Sequence, residues 1–164
     1  MQHARFADAE CPIARSLDGI GEWWSLLILR DALDGATRFD QFARNLGISP
    51  ATLTRRLRAL VGDGLLTTRR YQDHPPRDEY VPTARGRSLL PVLVALQVWG
   101  ERDREPDEHV LQLVDAATGD VLDPVLVDRT SGRPLSEIDA VFRAGPAASA
   151  GMRERFDELQ HQPR

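Results

Sequence analysis

The sequence predicts a mainly α chain with a small β wing (α+β), followed by a C-terminal β-ribbon-like appendage. Three observations predict it. Between Cys11 and Leu66, apolar residues recur at helical spacing in short segments punctuated by Gly19, Gly21, Gly35, Gly47, Gly62 and Gly64. Two β-prone runs, Leu65 to Tyr71 and Glu79 to Pro82, flank Pro75-Pro76 and so make a hairpin with a rigid, exposed tip. A long, almost wholly apolar helix then runs from Ala84 to about Arg102, and after it come only short β-prone runs separated by Gly-containing turns.

The opening ten residues are mixed and polar, an N-terminal arm. Cys11-Pro12 can start a helix whose apolar seam is Ile13, Leu17 and Ile20. The next segment, EWWSLLILRDAL from Glu22 to Leu33, is apolar nearly all round, and such a helix must be buried on several sides. Thr37 and Arg38 can form a short strand, and Phe39 to Leu46 makes a small helix with Phe39, Phe42, Ala43 and Leu46 inward. Gly47-Ile48-Ser49 is a tight turn into a further helix. There Ser49 suits the N-cap and Pro50 the first helical position, where its missing N–H is not needed. Leu53, Leu57, Leu60 and Val61 form one stripe at about 100° per residue, and Gly62 and Gly64 close the helix. Ala51, Arg55, Arg58 and Ala59 fall on the opposite face, with Thr52, Thr54 and Arg56 on its flanks.

Two short helices joined by a glycine-containing turn, the second presenting a small, hydroxylated, arginine-rich face, make a helix-turn-helix. Such a face can lie close in a major groove, where arginine grips guanine bidentately or holds phosphates. The hairpin that follows carries Arg69, Arg70, His74 and Arg77, and completes a winged helix-turn-helix. Thr83 can cap the last long helix, in which Leu89, Leu90, Val92, Leu93, Val94, Leu96, Val98 and Trp99 leave almost no polar face. The domain's own core can cover only one side of it, so the other predicts a second copy in a two-fold dimer. Pro91, inside this helix, should remove one backbone bond and bend it.

Bulk properties narrow the class. A hydrophobic fraction of 41% and a charged fraction of 28% over 164 residues are those of a soluble globular protein. No apolar run approaches the ~20 residues of a membrane span, and the N-terminus lacks a signal-peptide core, so a cytoplasmic protein without membrane contact is expected. Every one of the 21 basic residues is arginine. Between Arg38 and Arg87 ten arginines face five acids, whereas from Glu105 onward six arginines face twelve acids. A basic middle and an acidic tail suit a polyanionic partner even in a chain of net charge −4. Cys11 is the single cysteine, which excludes an intramolecular disulfide and a four-cysteine zinc site. With no Gly-rich phosphate loop, zinc-ligand spacing or nucleophile-base pair, neither an enzyme nor a metal or cofactor is expected.

The order CPIARSLDGIGEWWSLLILRDALDGATRFDQF, ISPATLTRRLRALVGDGLL, RYQDHPPRDEYVPTARGRSLLPVLVALQVWGER resembles the HxlR-type branch of the MarR-like winged-helix transcription regulators. The likeness runs from Cys11 to Arg104. It divides the chain into an arm (1–10), a DNA-binding and dimerisation domain (11–104), a small β-rich appendage (105–144), and a flexible linker with a short terminal helix (145–164). The resemblance implies a homodimer on a roughly palindromic double-stranded operator, a repressor responsive to a small-molecule effector or to oxidants and electrophiles. Carried over by position, Ser49, Ala51, Thr52, Arg55, Arg56 and Arg58 are the recognition-helix candidates. Arg38, His74 and Arg77 are candidates for phosphate contact.

Several members use the cysteine matching Cys11 as a redox sensor. A helix N-terminus favours the thiolate, whereas Asp8 and Glu10 oppose it. Lacking a second cysteine, oxidation could give only an intersubunit disulfide, a mixed disulfide or a sulfenate. Val110 to Phe142 resembles the ribbon that follows the winged helix in some relatives, where cysteines occupy the places of Thr118, Asp128 and Ser131; a metal-free appendage is expected here. A pocket lined by Trp23, Trp24 and Trp99, between the second helix and the dimer helix, is the place to look for a small ligand. The alternative reading is a winged-helix protein-interaction module without DNA binding, which a steep salt dependence of DNA affinity would exclude.

Overall fold

In the computed structural model, residues 6–160 are described. Helices α1 (Pro12–Ile20), α2 (Trp23–Leu33), α3 (Phe39–Leu46) and α4 (Pro50–Gly62) precede the hairpin of β1 (Leu66–Asp73) and β2 (Pro76–Pro82). After it come α5 (Ala84–Arg87), α6 (Leu90–Glu101) and, beyond a long irregular segment, α7 (Ala150–Gln160). The core lies where α2, α3 and α4 meet the start of β1: Ile28, Leu29, Phe42, Leu53, Leu57, Leu60 and Leu66 are the large side chains fully shut from water. Helix α2 lies at its centre, as its all-round apolar sequence requires. Its first residue is an exception: Trp23 is 79% exposed.

The turn between α3 and α4 depends on Gly47, which is left-handed at φ 60, a conformation that glycine adopts without steric cost. Before it, the Gln41 carboxamide oxygen accepts the N–H groups of Thr37 and Arg38 at 2.9 and 2.8 Å and anchors the start of α3.

The hairpin is longer than its β-prone runs suggest, with pairing that reaches Asp73 opposite Pro76 past a bulge between Arg70 and Gln72. Pro76 is the first residue of its strand, a position where a missing N–H is tolerated. Thr37 and Arg38 join the wing: Arg38 bridges Glu79, and the Tyr80 N–H donates to the Thr37 carbonyl at 2.7 Å. The wing's base is pinned to the end of α4 by Thr83, whose hydroxyl donates to the Gly64 carbonyl at 2.6 Å and accepts the Gly86 N–H at 3.0 Å. Only glycine fits at Gly86, since a Cβ there would stand 2.1 Å from the Leu65 carbonyl oxygen.

The single helix expected from Ala84 to Arg102 is two. Helix α5 ends at Arg87, and α6 starts afresh at Leu90 with Pro91 in its first turn. Pro91 therefore does not bend a continuous helix; it occupies the one part of a helix where its N–H has no partner to lose.

The appendage also departs from expectation. Among the described residues no strand follows β2; Val114–Val121 and Val127–Pro134 form only isolated bridges. Two matching turns take their place, within LVDAATGDVL (113–122) and LVDRTSGRPL (126–135). The carboxylate of Asp115 accepts the N–H groups of Ala117 and Thr118, and that of Asp128 accepts those of Thr130 and Ser131. Each turn is closed by a 2.8 Å backbone bond, from Leu122 to Leu113 and from Leu135 to Leu126. Side-chain caps of this kind compete with a ladder, and Pro134 has no N–H to extend one.

The start of the described chain is tied down. The Phe6 N–H donates to Asp18 at 2.7 Å, and Arg15 donates to the carbonyls of Ala9 and Glu10 at 2.8 and 2.7 Å. Positions 1–5 of the predicted arm and 161–164 of the predicted tail lie outside the described residues.

Candidate nucleic-acid interface

Helix α4 begins as its sequence demands. The Ser49 hydroxyl accepts the Thr52 N–H at 3.3 Å and donates to the Thr52 hydroxyl at 3.0 Å, while Thr54 donates back to the Pro50 carbonyl at 2.8 Å. Leu53, Leu57 and Leu60 are buried, which turns Ala51, Arg55, Arg58 and Ala59 outward to exposed positions. Neither Arg55 nor Arg58 forms an ion pair among the described residues, so both guanidinium groups are free to meet a polyanion.

Arg56 is placed differently from its neighbours. Its guanidinium is ion-paired with Glu22 at 2.8 Å, the side chain is only 16% exposed, and its Nε is buried without an acceptor. Arg56 thus stands apart from the exposed face that carries Arg55 and Arg58. About 100° from Arg55 on the wheel, it turns toward the start of α2.

On the wing, four positive or potentially positive groups resolve into two kinds. Arg69 is paired with Glu79 and Arg70 with Asp78 across the ladder, so their charge is largely spent within the hairpin. His74 and Arg77 stand exposed at the tip and form no ion pair among the described residues. Arg38, exposed at the start of α3, lies over the Tyr71 ring at 4.7 Å, and this cation–π contact holds it beside the wing. Arg58 faces the same hairpin. The Tyr80 phenol pKa is raised by burial, then by Asp78, with Arg58 partly offsetting them. Recognition helix and wing therefore present Arg38, Arg55, Arg58, His74 and Arg77 from adjoining elements, with Ser49 and Thr52 at the helix N-terminus.

Cys11 stands at the N-cap of α1, half buried. The Ala14 and Ile13 N–H groups face its sulfur and, with Arg155 of α7 and Arg15 beyond them, hold the thiol below its usual pKa. The opposing carboxylate of Glu10 is engaged elsewhere: it accepts the N–H and hydroxyl of Ser149, at the start of α7, the latter at 2.7 Å. Those two bonds, with Arg153 near, hold Glu10 below the usual glutamate range. A group with a lowered folded pKa stabilises the fold above its unfolded pKa and ceases to do so as pH falls through the folded value. Acidification through and below the usual glutamate range is accordingly expected to release α7, and Glu10→Gln to weaken its docking at neutral pH. Backbone ¹⁵N relaxation across 150–160 reads both, and unchanged order in the variant would refute the contact's role.

The three tryptophans have different surroundings. Trp23 borders a groove of about 720 Å³ between α2, α6 and residues 110–113, Trp24 packs partly buried against the core, and Trp99 borders a second groove of about 610 Å³ between α6 and residues 124–126. Successive residues on a helix point about 100° apart, which separates Trp23 from Trp24. Arg30, Asp34, Gln97, Glu101 and Arg104 supply polar groups at the first groove. Among the described residues no three His, Cys, Asp or Glu side chains cluster as metal ligands, and no helix is long and apolar enough to cross a membrane.

Comparison with known proteins bears on this architecture. Residues 19–108 match the profile of the HxlR-like helix-turn-helix family. The chain is 38% identical over 139 residues to Rv3095 of Mycobacterium tuberculosis, described as an HTH-type transcriptional regulator, covering 84% of this chain and 88% of that one. The structure of PA1374 from Pseudomonas aeruginosa, assigned as a transcription factor, is 47% identical with a TM-score of 0.62, covering 88% of this chain and 99% of that one. The redox regulator HypR in its oxidised form is 36% identical, with a TM-score of 0.53 over 58% of this chain and 99% of that one.

Proposed function

The chain belongs to the HxlR-like helix-turn-helix family, and from that premise we propose that this transcriptional regulator acts as a homodimer on a roughly palindromic operator, as a repressor in the cytoplasm. The observation that carries the reading is the free arginine face of α4 beside the tip of the wing. Arg55 and Arg58, with Ser49, Ala51 and Thr52, would enter the major groove; Arg38, His74 and Arg77 would hold the flanking backbone. Dimerisation is supported by exposed apolar side chains on α1 and α6, among them Ile13, Leu17, Leu96, Val98 and Trp99. Half-sites are then expected about one helical turn, ~34–36 Å, apart.

For the effector, we favour an oxidant or electrophile at Cys11, because its thiol faces the first amides of α1 and two arginines and Glu10 is drawn off to Ser149. A small apolar ligand in the groove beside Trp23 is the competing effector. Fluorescence anisotropy tests both levels on the duplex upstream of the protein's own coding sequence, against a scrambled duplex, at two salt concentrations. Tight, salt-sensitive, sequence-selective binding is expected. Diamide, which takes two electrons and two protons from two thiols to leave an intersubunit disulfide, should weaken it, and Cys11→Ser should abolish that response. Equal weak binding to both duplexes would favour the protein-interaction module, and selective binding indifferent to diamide would remove Cys11 as the sensor.

A further inference from the structure

We propose that Arg56 and Glu22 form a positioning pair, in which Arg56 serves the DNA-binding face by fixing α4 against the start of α2 and not by touching DNA. The proposal rests on the DNA-binding reading of α4 and adds to it a residue with a different role. Glu22 is the N-cap residue of α2, where its carbonyl accepts the Ser25 N–H at 2.7 Å; its carboxylate meets the Arg56 guanidinium at 2.8 Å. Both side chains are largely withdrawn from water, 16% exposed for Arg56 and 26% for Glu22. A guanidinium with its Nε buried and unaccepted is costly to hold there without a carboxylate, so the position of Arg56 depends on Glu22.

Geometry explains why such a constraint matters. Leu53, Leu57 and Leu60 hold α4 in the core through apolar contacts, which are non-directional and tolerate rotation of the helix about its axis. At the ~5–6 Å side-chain radius of a helix, a rotation of about 20° moves a side-chain tip by ~2 Å, enough to lose a hydrogen bond. The Arg56–Glu22 pair is directional and lies on a different face from Arg55 and Arg58. It sets the angle at which those two arginines are presented.

The two roles predict opposite signs for Glu22→Gln. If Arg56 positions α4, removing the carboxylate lowers affinity for the protein's own upstream duplex, although it also removes a negative charge. If Arg56 is itself a phosphate ligand held back by Glu22, the same change raises affinity or leaves it unaltered, and the proposal is overturned. Glu22→Gln and Arg56→Gln should each weaken specific binding about fivefold, with the double variant no worse than the weaker single. Arg56→Lys should recover part of the loss. The slope of log affinity against log salt should match wild type, whereas a lost phosphate contact reduces it by about one.

Amide hydrogen exchange gives a readout without DNA: each single variant should exchange faster across 50–62, and unchanged exchange in both overturns the pair. Should the wild-type chain bind no duplex, the DNA reading fails while exchange still decides the pairing. Should Arg56→Gln fail to fold, the sign of the Glu22→Gln effect decides it.

Discussion

Replacing Arg55 by alanine is expected to weaken binding to the specific duplex by about 1–3 kcal/mol, roughly 5- to 150-fold, while leaving scrambled-duplex binding less affected. Arg55 is exposed at the middle of α4, forms no ion pair among the described residues, and emerges from a helix whose other side is buried through Leu53, Leu57 and Leu60. A bidentate grip on a guanine is the interaction its fork can make there, and a methyl group cannot replace it. Arg77→Ala at the wing tip should behave otherwise, weakening specific and scrambled duplexes alike and flattening the salt slope by about one. Anisotropy titrations of both variants at several salt concentrations separate the roles. If Arg55→Ala leaves specific affinity intact, α4 is not the reading helix.

The second large effect is expected at the proposed dimer interface. Val98→Glu puts a carboxylate on the apolar outer surface of α6, where Val98 is 45% exposed and Trp99 beside it 69%. In a monomer the charge would stay in water at the open groove beside residues 124–126; in a two-fold interface it would be dehydrated against apolar side chains of the second copy. Light scattering should therefore report a monomer of retained helicity. Operator affinity should fall about 100-fold or more, because the second recognition helix no longer binds at the effective concentration that linkage to the first supplies. A variant that stays dimeric would move the interface away from α6.

Local rules were legible wherever one residue decides the conformation. Ser49 and Pro50 start α4, and Gly47 and Gly64 turn the chain at positive φ. A short strand at Thr37-Arg38 was readable, but its reduction to a single bridge and its partner Glu79 on the wing were not. Less legible was the break at Ser88-Leu89: a proline within an apolar run is compatible with a bent helix or with a new start, and contacts beyond the segment choose between them. In the appendage, β-prone composition misled because Asp115 and Asp128 cap tight turns with their own carboxylates, which composition does not weigh.

By itself, then, the sequence determined the order of helices, the recognition-helix stripe with Arg55 and Arg58 opposite it, and the hairpin that follows, because periodicity and turn chemistry are properties of neighbouring residues. Only the tertiary structure decided which arginines remain free. Glu22 and Arg56 are far apart in the chain, as are Glu10 and Ser149, and no local spacing announces such pairs. Charge neutralisation depends on distances of a few ångströms between separate elements, and these are set by how the elements pack.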